Sequence, residues 1–125
     1  MHDFGNGLVP AKRHVNPDGS EGGWVADTAT VAHTAYVGYN AKVYGNAWAG
    51  YSAKVYGQAR VSGNAEVYGD AQIYNYAMIS GNALVGDSAR VRGYAWVQSD
   101  SIVGGNAQVS SSSHRDLIAF GEDNV

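Results

Sequence analysis

Hydrophobic positions along this chain recur every six residues. Stepping by six from Val25 gives Val31, Val37, Val43, Ala49, Val55, Val61, Val67, Ile73, Ile79, Val85, Val91, Val97, Val103 and Val109, so Ala49 alone departs from Val or Ile. Stepping by six from Ala29 to Ala107 gives alanine throughout except at Ser101. The unit is V-x-x-x-A-x, as in VYGNAW and VSGNAE. A helix would repeat about every 3.6 residues and an unbroken strand every second residue, so neither fits. A short strand followed by a bend fits both columns. The β-branched residue favours extended backbone and points inward. The small alanine points inward beside the bend, where a larger side chain would collide. Gly, Asn, Asp and Ser fill the positions between, as at Gly45-Asn46, Gly63-Asn64, Gly81-Asn82 and Gly105-Asn106; these residues suit tight turns. Three bends close a triangular coil of eighteen residues, and stacked coils bury their Val and Ala columns against one another. The pattern predicts an all-β parallel β-helix over residues 24–111, with about five coils and, at ~4.8 Å per coil, a height of roughly 23 Å.

The V-x-x-x-A-x register resembles the hexapeptide-repeat superfamily. That resemblance implies a single-stranded, left-handed coil, whereas parallel crossovers in general favour the right hand. The segment GGWVADTATVAHTAYVGYNAKVYGNAW is similar to a narrower group, the YdcK-like β-helix proteins of bacteria and tailed phages. The superfamily includes acyltransferases, carbonic anhydrases and inert scaffolds, so the fold alone does not settle the function.

Flanking segments complete the organisation. Residues 1–23 hold both prolines and the turn Asn16-Pro17-Asp18-Gly19, and are expected to cap one end. Residues 112–125 form a tail whose apolar group Leu117-Ile118-Ala119-Phe120 is expected to cap the other end or to dock on a neighbouring subunit. Charged residues make up only 15% of the chain, below the usual ~25%. A hydrophobic content of 45% nevertheless argues against disorder. The absence of cysteine excludes disulfides, thiolate metal sites and cysteine nucleophiles. A net charge of −3 argues against general nucleic-acid coating. No apolar run reaches membrane-spanning length and no signal segment is visible, so a cytoplasmic protein is expected, within a bacterial host if the phage resemblance holds.

Residues eighteen apart should stack, which lets the exterior be read in columns. The face starting at Val31 carries Thr30, Trp48, Glu66, Leu84 and Ile102, beside Ala32, Gly50, Tyr68, Gly86 and Gly104. Trp48, Tyr68, Leu84 and Ile102 are the candidate oligomer interface, a trimer being the form common in the superfamily. The face starting at Val37 carries Tyr36, Lys54, Gln72, Arg90 and Gln108, beside Gly38, Tyr56, Tyr74, Arg92 and Ser110. Lys54, Tyr56, Tyr74, Arg90 and Arg92, with Tyr76 and Tyr94 from the next corner, are the candidate site for a small anionic ligand with a flat ring. Arg and Lys donate to phosphate or carboxylate, and tyrosine offers a stacking surface. A structural tyrosine ladder is the alternative.

Enzyme readings find less support. Zinc ligation would need clustered histidines, but His33 is the only one within the coils, and Tyr51 and Gly69 follow it in its column. No metal, cofactor or catalytic residue is expected. An acyltransferase would require His33 or His14 as base, and nothing in the sequence orients either. The expected function is a non-catalytic binding protein, a phage or mobile-element accessory factor of counter-defence type. It would sequester a small anion such as a nucleotide signal, or block a host protein. A hexapeptide-type acyltransferase and an inert scaffold are the alternatives.

Overall fold

The six-residue register builds three parallel sheets. In the computed structural model, which describes residues 1–110, 113–115 and 117–120, each coil contributes one short strand to each sheet, such as Lys42–Val43, Trp48–Ala49 and Lys54–Val55. The result is an all-β parallel solenoid of about five turns. Cross-strand partners lie eighteen residues apart: Lys42, Arg60 and Met78 in the Val25 sheet, Trp48, Glu66 and Leu84 in the Val31 sheet, and Lys54, Gln72 and Arg90 in the Val37 sheet. The Val, Ile and Ala columns fill the interior, and from Ala35 to Ala107 they are essentially inaccessible to solvent. Ala49 is fully buried between its partners Val31 and Val67, and the structure gives no reason for the truncation there.

Corners explain the glycines. The amide of Ala47 donates to the Tyr44 carbonyl at 3.3 Å, and Gly45 between them takes φ +66°. Gly63 and Gly81 repeat the conformation one and two coils on, with φ +65° and +64°. A Cβ on Gly63 would also stand 2.9 Å from the Gly81 amide nitrogen, so stacking as well as φ selects glycine. Corner amides continue the ladder, as where Asn46 N–H donates to the Gly63 carbonyl at 2.8 Å. The side chains of Asn46, Asn64, Asn82 and Asp100 run alongside as a chain of amide-to-oxygen contacts of 3.3–3.4 Å.

The first residues form two antiparallel hairpins. Strand β1 (His2–Asp3) pairs with β2 (Leu8–Val9), and β3 (Ala11–Val15) pairs with β4 (Glu21–Ala26), the first strand of the Val25 sheet. The first hairpin lies on the outside of that sheet, where Phe4 stacks on Tyr44 and His2 on Trp24. Beyond β3, Asn16 serves the Val37 sheet. Its side-chain oxygen accepts from the Val37 amide at 2.8 Å, and its nitrogen donates to the Val37 carbonyl at 3.1 Å. The side-chain amide thus stands in for a missing rung. His14 Nε2 donates to the Ala35 carbonyl at 2.8 Å. Segment 1–23 therefore serves the edges of two sheets, while a cavity of about 540 Å³ lies between β3 and Val25, Ala29 and Val31.

At the other end the register shortens. Val97 pairs with His114 and Val103 with Ala119, separations of seventeen and sixteen residues. Ser101, the exception in the alanine column, sits at this change. Its hydroxyl accepts from the Leu117 amide at 2.9 Å and donates to the Gln98 carbonyl at 2.7 Å. The expected tail 112–125 therefore includes two further rungs, while 112, 116 and 121–125 lie outside the described residues. Among the described residues, no helix is long and apolar enough to cross a membrane.

Candidate functional site

Sheet register distributes charge unevenly around the prism. Between residues 24 and 110 the cations are Lys42, Lys54, Arg60, Arg90 and Arg92, and the carboxylates are Asp27, Glu66, Asp70, Asp87 and Asp100. Lys42 and Arg60 belong to the Val25 sheet, while Lys54, Arg90 and Arg92 lie on the Val37 face. Glu66 is in the Val31 sheet, and the four aspartates occupy the two corners flanking it. The Val25 and Val37 faces meet at a corner without charge, which carries Tyr39, Tyr76 and Tyr94. An acidic chain thus presents a positive ridge with aromatic residues along its crest. None of the five cations has a carboxylate partner among the described residues.

On the Val37 face, Tyr56 and Tyr74 stack in parallel, with ring centroids 5.0 Å apart and planes 6° from one another. Tyr76 and Tyr94 repeat this on the corner at 5.0 Å and 4°. The Tyr56 hydroxyl donates to Gln72 Oε1 at 3.0 Å, and Arg92 donates to Gln108 Oε1. These tyrosines occupy one another's faces, so a ligand ring cannot enter between them. Beside Tyr56 a cavity of about 240 Å³ is lined by Tyr36, Lys54, Tyr56 and Gln72. Burial raises the Tyr56 phenol above the usual tyrosine range; Tyr74 adds to the rise and Arg90 opposes it. Lys54 also borders a wider cleft containing Asp18 and Asp70, so its surroundings are of mixed charge. Arg90 is exposed beside them. Lys54, Tyr56, Tyr74, Arg90 and Arg92 therefore share one face, with Tyr76 and Tyr94 on its edge.

A second constellation lies on the Val25 face and was not among the sequence candidates. Cross-strand pairing places Arg13, Trp24, Lys42 and Arg60 in one row. Arg13 lies between two rings, 4.8 Å from the centroid of Trp24 and 3.9 Å from that of Tyr39. Its guanidinium donates to the Gly22 and Tyr39 carbonyls at 3.2 Å each and pairs with Glu21 at 3.5 Å. His2 Nε2 is shielded from solvent without a hydrogen-bond partner. Desolvation, with Lys42 and Arg13 nearby, holds the His2 imidazole below the usual histidine range. His2, Arg13, Trp24, Tyr39, Lys42 and Arg60 line a cavity of about 410 Å³. Lys42 and Arg60 lie eighteen residues apart, so the repeat alone stacks them. Nothing in the six-residue pattern signalled that residues 2 and 13 fold back onto them.

The candidate interface residues Trp48, Leu84, Ile102 and Tyr68 share the Val31 face and are half-buried. A Cβ on Gly50 would meet the Trp48 ring, one on Gly86 the Tyr68 ring and one on Gly104 the Phe120 ring. The small residues of this face thus accommodate the chain's own aromatic rings, where the column pattern implied a bare flat strip. His33 is an exposed corner residue, and His14 is engaged with the Ala35 carbonyl. No three His, Asp or Glu side chains converge in a way that could hold a metal among the described residues. No family model matches the chain, and no curated protein or solved structure matches it either.

Proposed function

We propose that this is a non-catalytic binding protein of hexapeptide-repeat type, with the left-handed coil of that superfamily, which takes a small anionic ligand on its positive ridge. The observation that carries the reading is the gathering of the five coil cations on the Val25 and Val37 faces, with the coil carboxylates on the Val31 face and its corners and only the Lys54–Asp70 cleft bringing the two signs together. Such a separation attracts anions at long range even though the whole molecule is acidic. On the Val37 face, Lys54, Arg90 and Arg92 supply donors, and the Tyr56 and Tyr36 rings beside the 240 Å³ cavity offer a platform for a ring. Stacking contributes about 1–3 kcal/mol and each charge-assisted hydrogen bond about 1.5–3 kcal/mol. The loss of translational freedom offsets much of this, so micromolar binding calls for a cleft between subunits. Tyr76 and Tyr94 lie on the corner opposite the Val31 face and extend the aromatic surface of one subunit's ridge. A phage or mobile-element accessory factor acting in the bacterial cytoplasm is the setting that the sequence resemblance supports, with sequestration of a nucleotide signal as its role.

Calorimetry with mononucleotides and cyclic dinucleotides tests the reading. Binding should weaken with added salt. It should be lost in the Arg90→Ala, Arg92→Ala double variant while the melting temperature stays within a few degrees. Failure of every anionic aromatic compound to bind at millimolar concentration would reduce the tyrosine stacks to structural ladders. A host protein or a scaffold role would then lead.

A further inference from the structure

We propose a separate binding site for a dianionic phosphoryl group, free or borne by a nucleotide, in the cavity that the first hairpin helps to form over Lys42 and Arg60. It does not depend on the Val37-face reading. Lys42 and Arg60 are direct cross-strand partners, so two like charges stand one rung apart on the same side of the sheet. Like charges directly opposite one another destabilise a sheet. Neither has an ion-pair partner among the described residues. Asp3 is the carboxylate that Lys42 influences, yet its Oδ1 accepts from the Gly5 and Gly7 amides at 2.7 and 3.1 Å. Glu21 is paired with Arg13. Both cations are half-buried, which strengthens their field compared with solvated side chains.

Two further observations point to the same ligand. The His2 Nε2 atom, shielded and without a partner, belongs to a side chain lining this cavity. Buried polar atoms left unpaired are uncommon and costly, and a turn of the His2 ring toward the cavity that it lines would let Nε2–H donate to a phosphoryl oxygen. The walls are also preorganised. Arg13 is fixed between Trp24 and Tyr39, and His2 stacks on Trp24 at 4.8 Å with planes 18° apart. A ligand entering here orders few side chains, which limits the entropic cost of binding. At about 410 Å³ the cavity has room for a phosphate with a nucleoside attached. Tyr39, 57% exposed and covered by Arg13 on one face, leaves ring surface for a base.

The test uses the full chain in low-salt buffer, with inorganic pyrophosphate and adenosine monophosphate as probes. Pyrophosphate should raise the melting temperature and bind once per chain. Lys42→Gln and Arg60→Gln should each weaken it about tenfold, the loss of one charge-assisted hydrogen bond. Without anion, each variant should melt at or above the wild-type temperature, because a repulsion has been removed. The Arg90→Ala, Arg92→Ala variant should keep its pyrophosphate binding, which separates this site from the Val37 face. Tighter binding of adenosine monophosphate than of pyrophosphate would identify a nucleotide-borne group, and equal or weaker binding a free one. The proposal falls if pyrophosphate does not bind at millimolar concentration, or if Arg60→Gln binds it as wild type does. It also falls if the Gln variants melt below wild type without anion, since the row would then be structural.

Discussion

Removing the Asn16 amide would leave the Val37 N–H and carbonyl without partners at the edge of a buried rung. Asn16 is only 3% exposed, so water cannot easily replace it. Asn16→Ala should lower stability by about 1–3 kcal/mol in urea unfolding. Asn16→Asp should be no milder, because a carboxylate cannot donate to the Val37 carbonyl and would be buried as a charge. A wild-type midpoint in either variant would show that the edge is satisfied some other way. Tyr56 offers a second test. Burial raises its folded-state pKa, with Tyr74 adding to the rise. The unfolded chain therefore loses the proton first as pH climbs. The contribution is intact below the ordinary tyrosine pKa of ~10 and is lost as pH rises through the higher folded value. Alkaline titration followed by tyrosinate absorbance should show a late component that disappears in Tyr56→Phe. Arg90→Ala should delay it further, because Arg90 opposes the rise.

Among the elements, corners are more demanding than strands. Gly63→Ala meets both a left-handed backbone and the Gly81 amide nitrogen at 2.9 Å, and should cost about 1–3 kcal/mol. Gly19→Ala is the control, with φ +86° but open space around the added carbon. Thermal melting should show a clearly larger drop for Gly63→Ala, and equal drops would mean that stacking adds nothing beyond φ. The coils were legible in the sequence because, Ala49 and Ser101 apart, they obey one packing rule: Val or Ile inward, Ala inward, and mostly Gly, Asn, Asp or Ser at the bend. Lys54, Tyr56, Tyr74, Arg90 and Arg92 could be placed on one face for the same reason. The mutual stacking of Tyr56 and Tyr74 was open in the columns, since a period fixes neighbours but not ring orientation. The cavity around Lys42 and Arg60 was hidden because part of its wall comes from His2 and Arg13, which lie outside the repeat. Antiparallel pairing of β3 with β4 depends on the turn after Val15 and on Gly22 and Gly23. A Cβ on Gly22 would strike the Val37 carbonyl and one on Gly23 the Ala41 carbonyl, close approaches with no signature in a hydrophobic pattern.

For the whole molecule, assembly follows from which face stays apolar. Trp48, Tyr68, Leu84 and Ile102 are half-buried on the Val31 face, and Phe120 is 50% exposed beside them. Light scattering should report an oligomer, with a trimer as the expected form. Trp48→Glu combined with Leu84→Glu should dissociate it. A monomer at high micromolar concentration would mean that the chain's own rings suffice to cover the face. An intact oligomer in the double variant would move the contact elsewhere.

The shortened last turn has a consequence for growth. A prism whose every turn spends eighteen residues ends in an outline congruent with the next, and such an end invites a foreign strand to settle on it. Here the closing arcs spend seventeen residues from Val97 to His114 and sixteen from Val103 to Ala119. Along these rungs the path round the prism is therefore shorter than in the coils before them. A full-length coil from a second molecule, spending eighteen residues, would fall out of step with them. Contraction of this kind works against a foreign coil seating in register, and so against a stackable shape propagating into a fibre.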